Sequence, residues 1–318
     1  MKIDVKYFRK SIFYREMSST SNLSKGLIYM LTASFCFALT GACARWLRDD
    51  INPVELVLFR NVIGVIFILY SIQQKPIIQK GGKPWLLIFR GVIGTLALYS
   101  FFYGISKIGL AISITYQQSY PVFLAMFASY FFGEKLARLE WGAILIGFIG
   151  ICLIFLPSID TSLLSAKHHI IGLSNALMTG MAYLSIRGLS EIYDQRTIIL
   201  SFMLSGIILP VISMLSGQFV QPGHFDFIIS SFDVPKLIHY PVILLLGLAA
   251  LIGQIYLTKA FSYEKTGIIA AVGYSNIVFS VIFGTLLGDS FPDFMSFCGI
   301  IMIIFCGIII GFRRKKIN

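Results

Sequence analysis

Ten stretches of roughly twenty mainly apolar residues, parted by short breaks of Gly, Pro and charge, limit the fold of this chain more than any other feature. A helix needs about 20 such residues to cross a ~30 Å hydrocarbon layer. The stretches are Gly26–Ala44, Pro53–Ser71, Trp85–Ile105, Gly109–Phe132, Leu139–Pro157, Ile170–Gly188, Thr197–Gly217, His239–Ala260, Gly267–Leu287 and Asp293–Phe312. They exceed the length of a barrel strand and do not alternate polar with apolar, so they read as helices. Composition agrees: 57% of the 318 residues are hydrophobic, 13% are charged, and mean hydropathy is +0.82. A soluble globule cannot hide that much apolar surface. The expectation is an all-α polytopic membrane protein with ten transmembrane helices. A soluble enzyme, a disordered chain and a disulfide-stapled secreted module are excluded.

The net charge of +11 would suggest nucleic acid in a soluble protein. Here the basic residues sit in tails and loops around apolar runs, so the lipid bilayer is the expected partner and nucleic acid is not. With the N-terminus in the cytoplasm, nineteen of the 26 Lys and Arg fall in inner segments and five, Arg45, Arg48, Lys107, Lys167 and Lys236, in outer ones. That bias places both termini in the cytoplasm of a cell (inner) membrane protein. Residues 1–24 read as a solvated basic tail, with Met17 as an alternative start and no cleavable signal. The cysteines show no metal spacing and read as packing residues, so no metal or cofactor is expected. No HExxH, P-loop or nucleophile elbow occurs, which sets a membrane-embedded enzyme far behind a carrier.

The chain also looks duplicated. Pro121 stands twelve residues before Gly133, and Asn276 stands twelve before Gly288. Gly142 and Gly150 lie eight apart in the fifth span, as Gly299 and Gly307 do in the tenth. Spans one to five (25–157) and six to ten (170–312) therefore read as copies, followed by a basic end, 313–318. An odd number of spans per copy makes the repeats inverted, which is a transporter architecture with its site near the midplane.

The stretch from Arg90-Gly91 through Tyr103, then Gly109 through Pro121, ending Phe131-Phe132-Gly133-Glu134-Lys135-Leu136, resembles the first half of an EamA-type protein of the drug/metabolite transporter superfamily. Tyr274-Ser275-Asn276-Ile277-Val278-Phe279 through Leu287-Gly288-Asp289 is similar to the second half. The resemblance covers about residues 25–312. It implies a ten-helix, basket-like secondary carrier of small metabolites such as amino acids. The second cap departs from the pattern, with Asp289-Ser290 in place of Glu and a basic residue.

Within spans, polar groups are costly and therefore informative. Tyr116, Gln117, Tyr120 and Pro121 cluster at the middle of the fourth span. Tyr274, Ser275 and Asn276 hold matching depth in the ninth. Tyr99 and Tyr103 form an i,i+4 pair in the third, and Gln254 lies in the eighth. The candidate cavity lining is Tyr99, Tyr103, Tyr116, Gln117, Tyr120, Pro121, Gln254, Tyr274 and Asn276. Glu55 reads as a helix-capping residue or as part of an outer mouth. Arg60 reads as snorkelling outward or as lining the cavity, and Arg90 as an anchor beside Trp85 or as a cavity residue. No acid lies at the midplane, which argues against a buried carboxylate as proton site and against a bulky cation as cargo. The expected function is facilitative or exchange transport of an amino-acid-like, zwitterionic, anionic or aromatic solute, the alternative being proton-coupled export.

Overall fold

The computed structural model describes residues 19–108, 110–133, 137–155, 166–219, 226–264 and 266–288, and residues 294–295, 297–303 and 305 of the last helix. The tail with Met17, Glu134–Leu136, Asp289–Phe291, Cys306, Gly307 and the basic C-terminal end lie outside them. Among the described residues the chain is helical, without strands. In order the helices are α1 (Ser19–Leu47), α2 (Pro53–Gln74), α3 (Pro84–Ile108), α4 (Leu110–Gln117), α5 (Tyr120–Phe132), α6 (Arg138–Phe155), α7 (Ala166–Leu189), α8 (Gln195–Gly217), α9 (Tyr240–Tyr263), α10 (Thr266–Gly273) and α11 (Ser275–Leu286).

Among the described residues six segments are long and apolar enough to cross a membrane: Lys25–Leu47, Pro53–Gln74, Pro84–Lys107, Gln195–Gly217, Leu237–Tyr263 and Thr266–Leu286. The remaining expected spans differ for visible reasons. Tyr120–Phe131 and Trp141–Gly150 are apolar but shorter. In α7, Asn175, Thr179 and Arg187 dilute the apolar run. Much of the tenth span falls outside the described residues. Large apolar side chains such as Phe35, Ile66, Phe67, Ile149, Ile208 and Leu244 stand exposed on the outer faces of the bundle. That is the surface hydrocarbon would cover.

Local chemistry sets the helix ends. Asn52 Oδ1 accepts the Glu55 amide at 3.0 Å with Pro53 opening α2, a capped start that uses a residue needing no N–H. The α5 helix stops at Gly133 (φ +61°), and Gly288 (φ +93°) follows α11, both in the left-handed region that glycine enters without a Cβ penalty.

The fourth and ninth spans, each expected as one helix, are each broken in two. At the first break Ser119 N donates to Tyr116 O and Val122 N donates to Ser119 O. At the second, Tyr274 N donates to Ala271 O and Ile277 N donates to Tyr274 O. Pro121 accounts for the first, since it has no N–H for the Gln117 carbonyl and its ring crowds that carbonyl. The second has no proline and falls directly after Gly273.

The loops gather at two ends. At one, Asn52 Nδ2 donates to Ser231 O (2.9 Å), Lys236 pairs with Asp50 (2.9 Å), and Asp226 accepts from Tyr103 Oη (3.1 Å) and pairs with Lys167. At the other, Gly81 N donates to Ile192 O (2.9 Å), Lys83 N to Tyr193 Oη (3.0 Å), and Arg187 to Phe261 O (3.3 Å). Lys107, Lys167 and Lys236 thus share one end, while Lys83 and Arg187 share the other.

Inside the bundle α1 packs on α9 and α3 on α7; α2 packs on α8; α3 meets α8 as α2 meets α9; α1 meets α11 as α7 meets α5; and α5 meets α10. Asn61 ties α2 to α8 by donating to Val57 O (2.7 Å) and Gly206 O (3.3 Å). In α6, a Cβ on Gly150 would lie 2.8 Å from the carbonyl oxygen of Gly299, so two of the glycines singled out by their spacing bring their backbones together.

Candidate functional site

Helices α1, α2, α3, α7, α9 and α11 and the two breaks converge on a cavity of ≈ 70 Å³, room for roughly five water molecules. Five of the sequence candidates line it: Arg60, Gln117, Tyr120, Gln254 and Asn276. The two breaks touch there. Gln118 Nε2 donates to Gly273 O at 3.3 Å, and the Tyr120 hydroxyl lies against Gly273, where a side chain would collide with it. Asn276 Nδ2 donates to Ser34 O of α1 at 2.9 Å. Tyr120 also meets Tyr183 edge-on, ring centroids 5.0 Å apart at 86°, an arrangement aromatic quadrupoles favour.

Both in-span arginines are fully interior. Arg60 is 3% exposed and Arg90 2%, so neither snorkels. The interfacial expectation for Arg90 is corrected. Phe202 of α8 is the reason it can stay inside: the Arg90 Cζ lies 4.4 Å from its ring centroid and the Arg60 Cζ 5.4 Å. Arg90 Nη2 also donates to Gln254 Oε1 at 3.4 Å. A guanidinium at mid-span costs ~2.5–3.5 kcal/mol on insertion scales, and a desolvated cation–π contact returns ~2 kcal/mol. The account is only partly closed, because Nε and Nη1 of Arg60 and Nε of Arg90 are buried without a hydrogen-bond partner among the described residues. Among the described residues no carboxylate lines this cavity.

The other candidates go elsewhere. Tyr99 is buried with its hydroxyl 3.1 Å from Ser213 Oγ, which joins α3 to α8. Tyr274 turns toward α6 and donates to Ile144 O at 3.2 Å. Pro121 is buried at the start of α5 and shapes the break rather than the cavity wall. Tyr103 and Tyr116 border a separate, much smaller cleft with His168 and Asn175, and the Tyr116 ring presses on Gly172. Tyr116 and Tyr120, four apart and so on one face of an unbroken helix, part company because the helix breaks between them. Glu55 is buried and accepts the Asp233 amide, anchoring the long loop at the bundle end. Gln118, Tyr183 and Phe202 escaped the sequence reading. The signal for Gln118 was its place three residues before Pro121, and for Tyr183 its polar, weakly apolar span; nothing distinguishes Phe202 from the other phenylalanines.

A helical multi-pass bundle closed around an interior cavity that mixes apolar side chains with Arg60, Gln117, Gln254 and Asn276, with apolar outer faces, defines the class: a membrane transporter of small solutes. Residues 24–156 match the EamA-like transporter family. An uncharacterized transporter of Helicobacter pylori (strain J99) is 31% identical over 289 residues, 90% of this chain and 94% of that one. The pseudopaline exporter CntI of Pseudomonas aeruginosa is 30% identical over 295 residues, 92% of this chain and 98% of that one. One chain of known crystal structure, 14% identical, shares the fold with a TM-score of 0.73 over 93% of this chain and 99% of its own. The protein belongs to the EamA-like transporter family and is a multi-pass membrane transporter of small metabolites.

Proposed function

We propose that the protein is a secondary carrier that works by alternating access, facilitative or by exchange, for an amino-acid-like, zwitterionic, anionic or aromatic solute. Its ten spans form two inverted five-helix repeats, 25–157 and 170–312. Both termini face the cytoplasm across the cell (inner) membrane. The role is transport, not catalysis.

The observation that carries this reading is the pairing of the two breaks at one cavity. Ser119 and Tyr274 make the same hydrogen-bond step, and each precedes its left-handed glycine by the same interval, Gly133 and Gly288. With that register, Gln118 and Gly273 hold equivalent places, and they touch. Contact between equivalent residues is what a two-fold axis produces. The helix packing supports the same relation. If the first five spans map onto the next five, the α1–α9 contact becomes α7–α3, and α3–α8 becomes α9–α2; both members of each pair occur. The loops at one end carry Lys83 and Arg187, which charge bias assigns to the cytoplasm.

A thermal-shift screen of the purified protein against a metabolite library tests this, followed by flux of the stabilising compounds in liposomes. Saturable counterflow without a pH gradient supports the carrier. Flux that needs a proton gradient would replace it with proton-coupled export.

A further inference from the structure

We propose that Arg60 is the receptor for a carboxylate on the transported solute, an assignment that rests on the carrier reading above and narrows its substrate class to carboxylate-bearing metabolites. Arg60 lines the central cavity, is 3% exposed, and buries Nε and Nη1 without a hydrogen-bond partner among the described residues. A guanidinium does not lose its proton in a protein. Its charge is therefore permanent, and among the described residues the cavity wall supplies no acid to meet it. Phe202 accepts the charge on its ring face but cannot accept the N–H bonds in the guanidinium plane. An in-plane pair of donors, Nε with Nη2 or Nη1 with Nη2, forms the fork that fits a carboxylate bidentately.

The surroundings point the same way. Arg90 sits over the same Phe202 ring and adds a second positive charge to the neighbourhood. It also occupies the oxygen of Gln254, and the amide N–H₂ of Gln254 remains as a further donor at the cavity. One wall thus offers cationic and neutral donors together, a polarity that favours an anion and repels a cation. The cavity's ≈ 70 Å³ suits a carboxylate with a small remainder.

The test uses the full-length protein in detergent and matched probes at constant ionic strength: acetate beside acetamide, L-alanine beside L-alaninamide, and succinate beside succinamide, with chloride as control. At least one carboxylate is expected to raise the melting temperature saturably, and its carboxamide is not. Arg60→Gln is expected to weaken carboxylate binding by at least about 30-fold, as loss of one partner of a buried charge pair does. Arg60→Lys keeps the charge and loses the fork, and is expected to fall between. Arg90→Gln is expected to keep the preference for acid over amide.

Carboxamides that stabilise as well as acids, no stabilisation by any of the three carboxylates, or wild-type carboxylate binding by R60Q would each overturn the assignment. If R60Q does not fold, the acid–amide comparison in the wild type and the R60K affinity decide. Liposome flux separates the two readings. Carboxylate flux indifferent to Arg60 sinks this assignment and leaves the carrier. Carboxylate protection lost in R60Q, with no flux of any solute, sinks the carrier and leaves the binding site.

Discussion

Asn276 holds α11 to α1 through a single hydrogen bond that its side-chain amide donates to Ser34 O while facing the cavity. Asn276→Ala should leave the protein inserted and folded, costing about 0.5–1.5 kcal/mol of stability, and should weaken binding of any stabilising solute by roughly tenfold, read by ligand titration of the melting temperature. Asp194 is a second test at this scale. Its carboxylate caps α8 at the Arg196 amide (2.8 Å) and holds the Arg196 side chain (3.0 Å), which reaches Lys75 O of the next loop at 2.6 Å. Arg196 keeps that carboxyl below the usual range. The stabilisation is then complete above the ordinary Asp value of about 3.9 and fades as pH falls through the lowered one. Melting curves of wild type and Asp194→Asn should differ at neutral pH and converge in acid. Side-chain chemistry was only half legible in the sequence. Residue type told which groups need a partner, so Arg60, Gln254 and Asn276 were found. Direction depends on neighbours, so Tyr99 and Tyr274, with equally good credentials, turn to Ser213 and Ile144 O instead.

At the level of elements, the two breaks place backbone and amide groups where a continuous helix would present only side chains. Replacing Pro121 by Ala restores an N–H able to reach the Gln117 carbonyl and removes the ring that crowds it. Hydrogen exchange should then slow over residues 118–122, and turnover in liposomes should drop if the break flexes during transport. The Gly150–Gly299 approach makes the opposite point. Gly150→Leu forces a side chain against a carbonyl 2.8 Å from the ideal Cβ position, and should cost about 1–3 kcal/mol as overpacking does, seen as a lower melting temperature. Helix starts and stops were readable in advance at Asn52-Pro53, Gly133 and Gly288, because these residues act on the backbone locally. The break at Tyr274 was not, because no proline marks it and the contact of Gly273 with Tyr120 joins residues more than 150 positions apart.

For the whole molecule, hydropathy made the membrane and the helix class plain, since no soluble arrangement could bury so many apolar residues. Sidedness is the part to check. Single cysteines at Lys83 and Lys236, on a background without the native ones, should react with an impermeant thiol reagent from opposite sides: Lys236→Cys on intact cells, and Lys83→Cys only in inverted vesicles. Labelling of both from one side would break the proposed topology. The touching pair Gln118 and Gly273 also carries a consequence for directionality. If a shared pivot serves two related halves, the machine itself has no preferred way to run. Any bias must then come from where the halves have drifted apart, an amide reaching across on one side and a bare backbone on the other, so that Gln118→Gly, which makes the two places alike, is the smallest edit expected to tilt the balance between outward-facing and inward-facing forms.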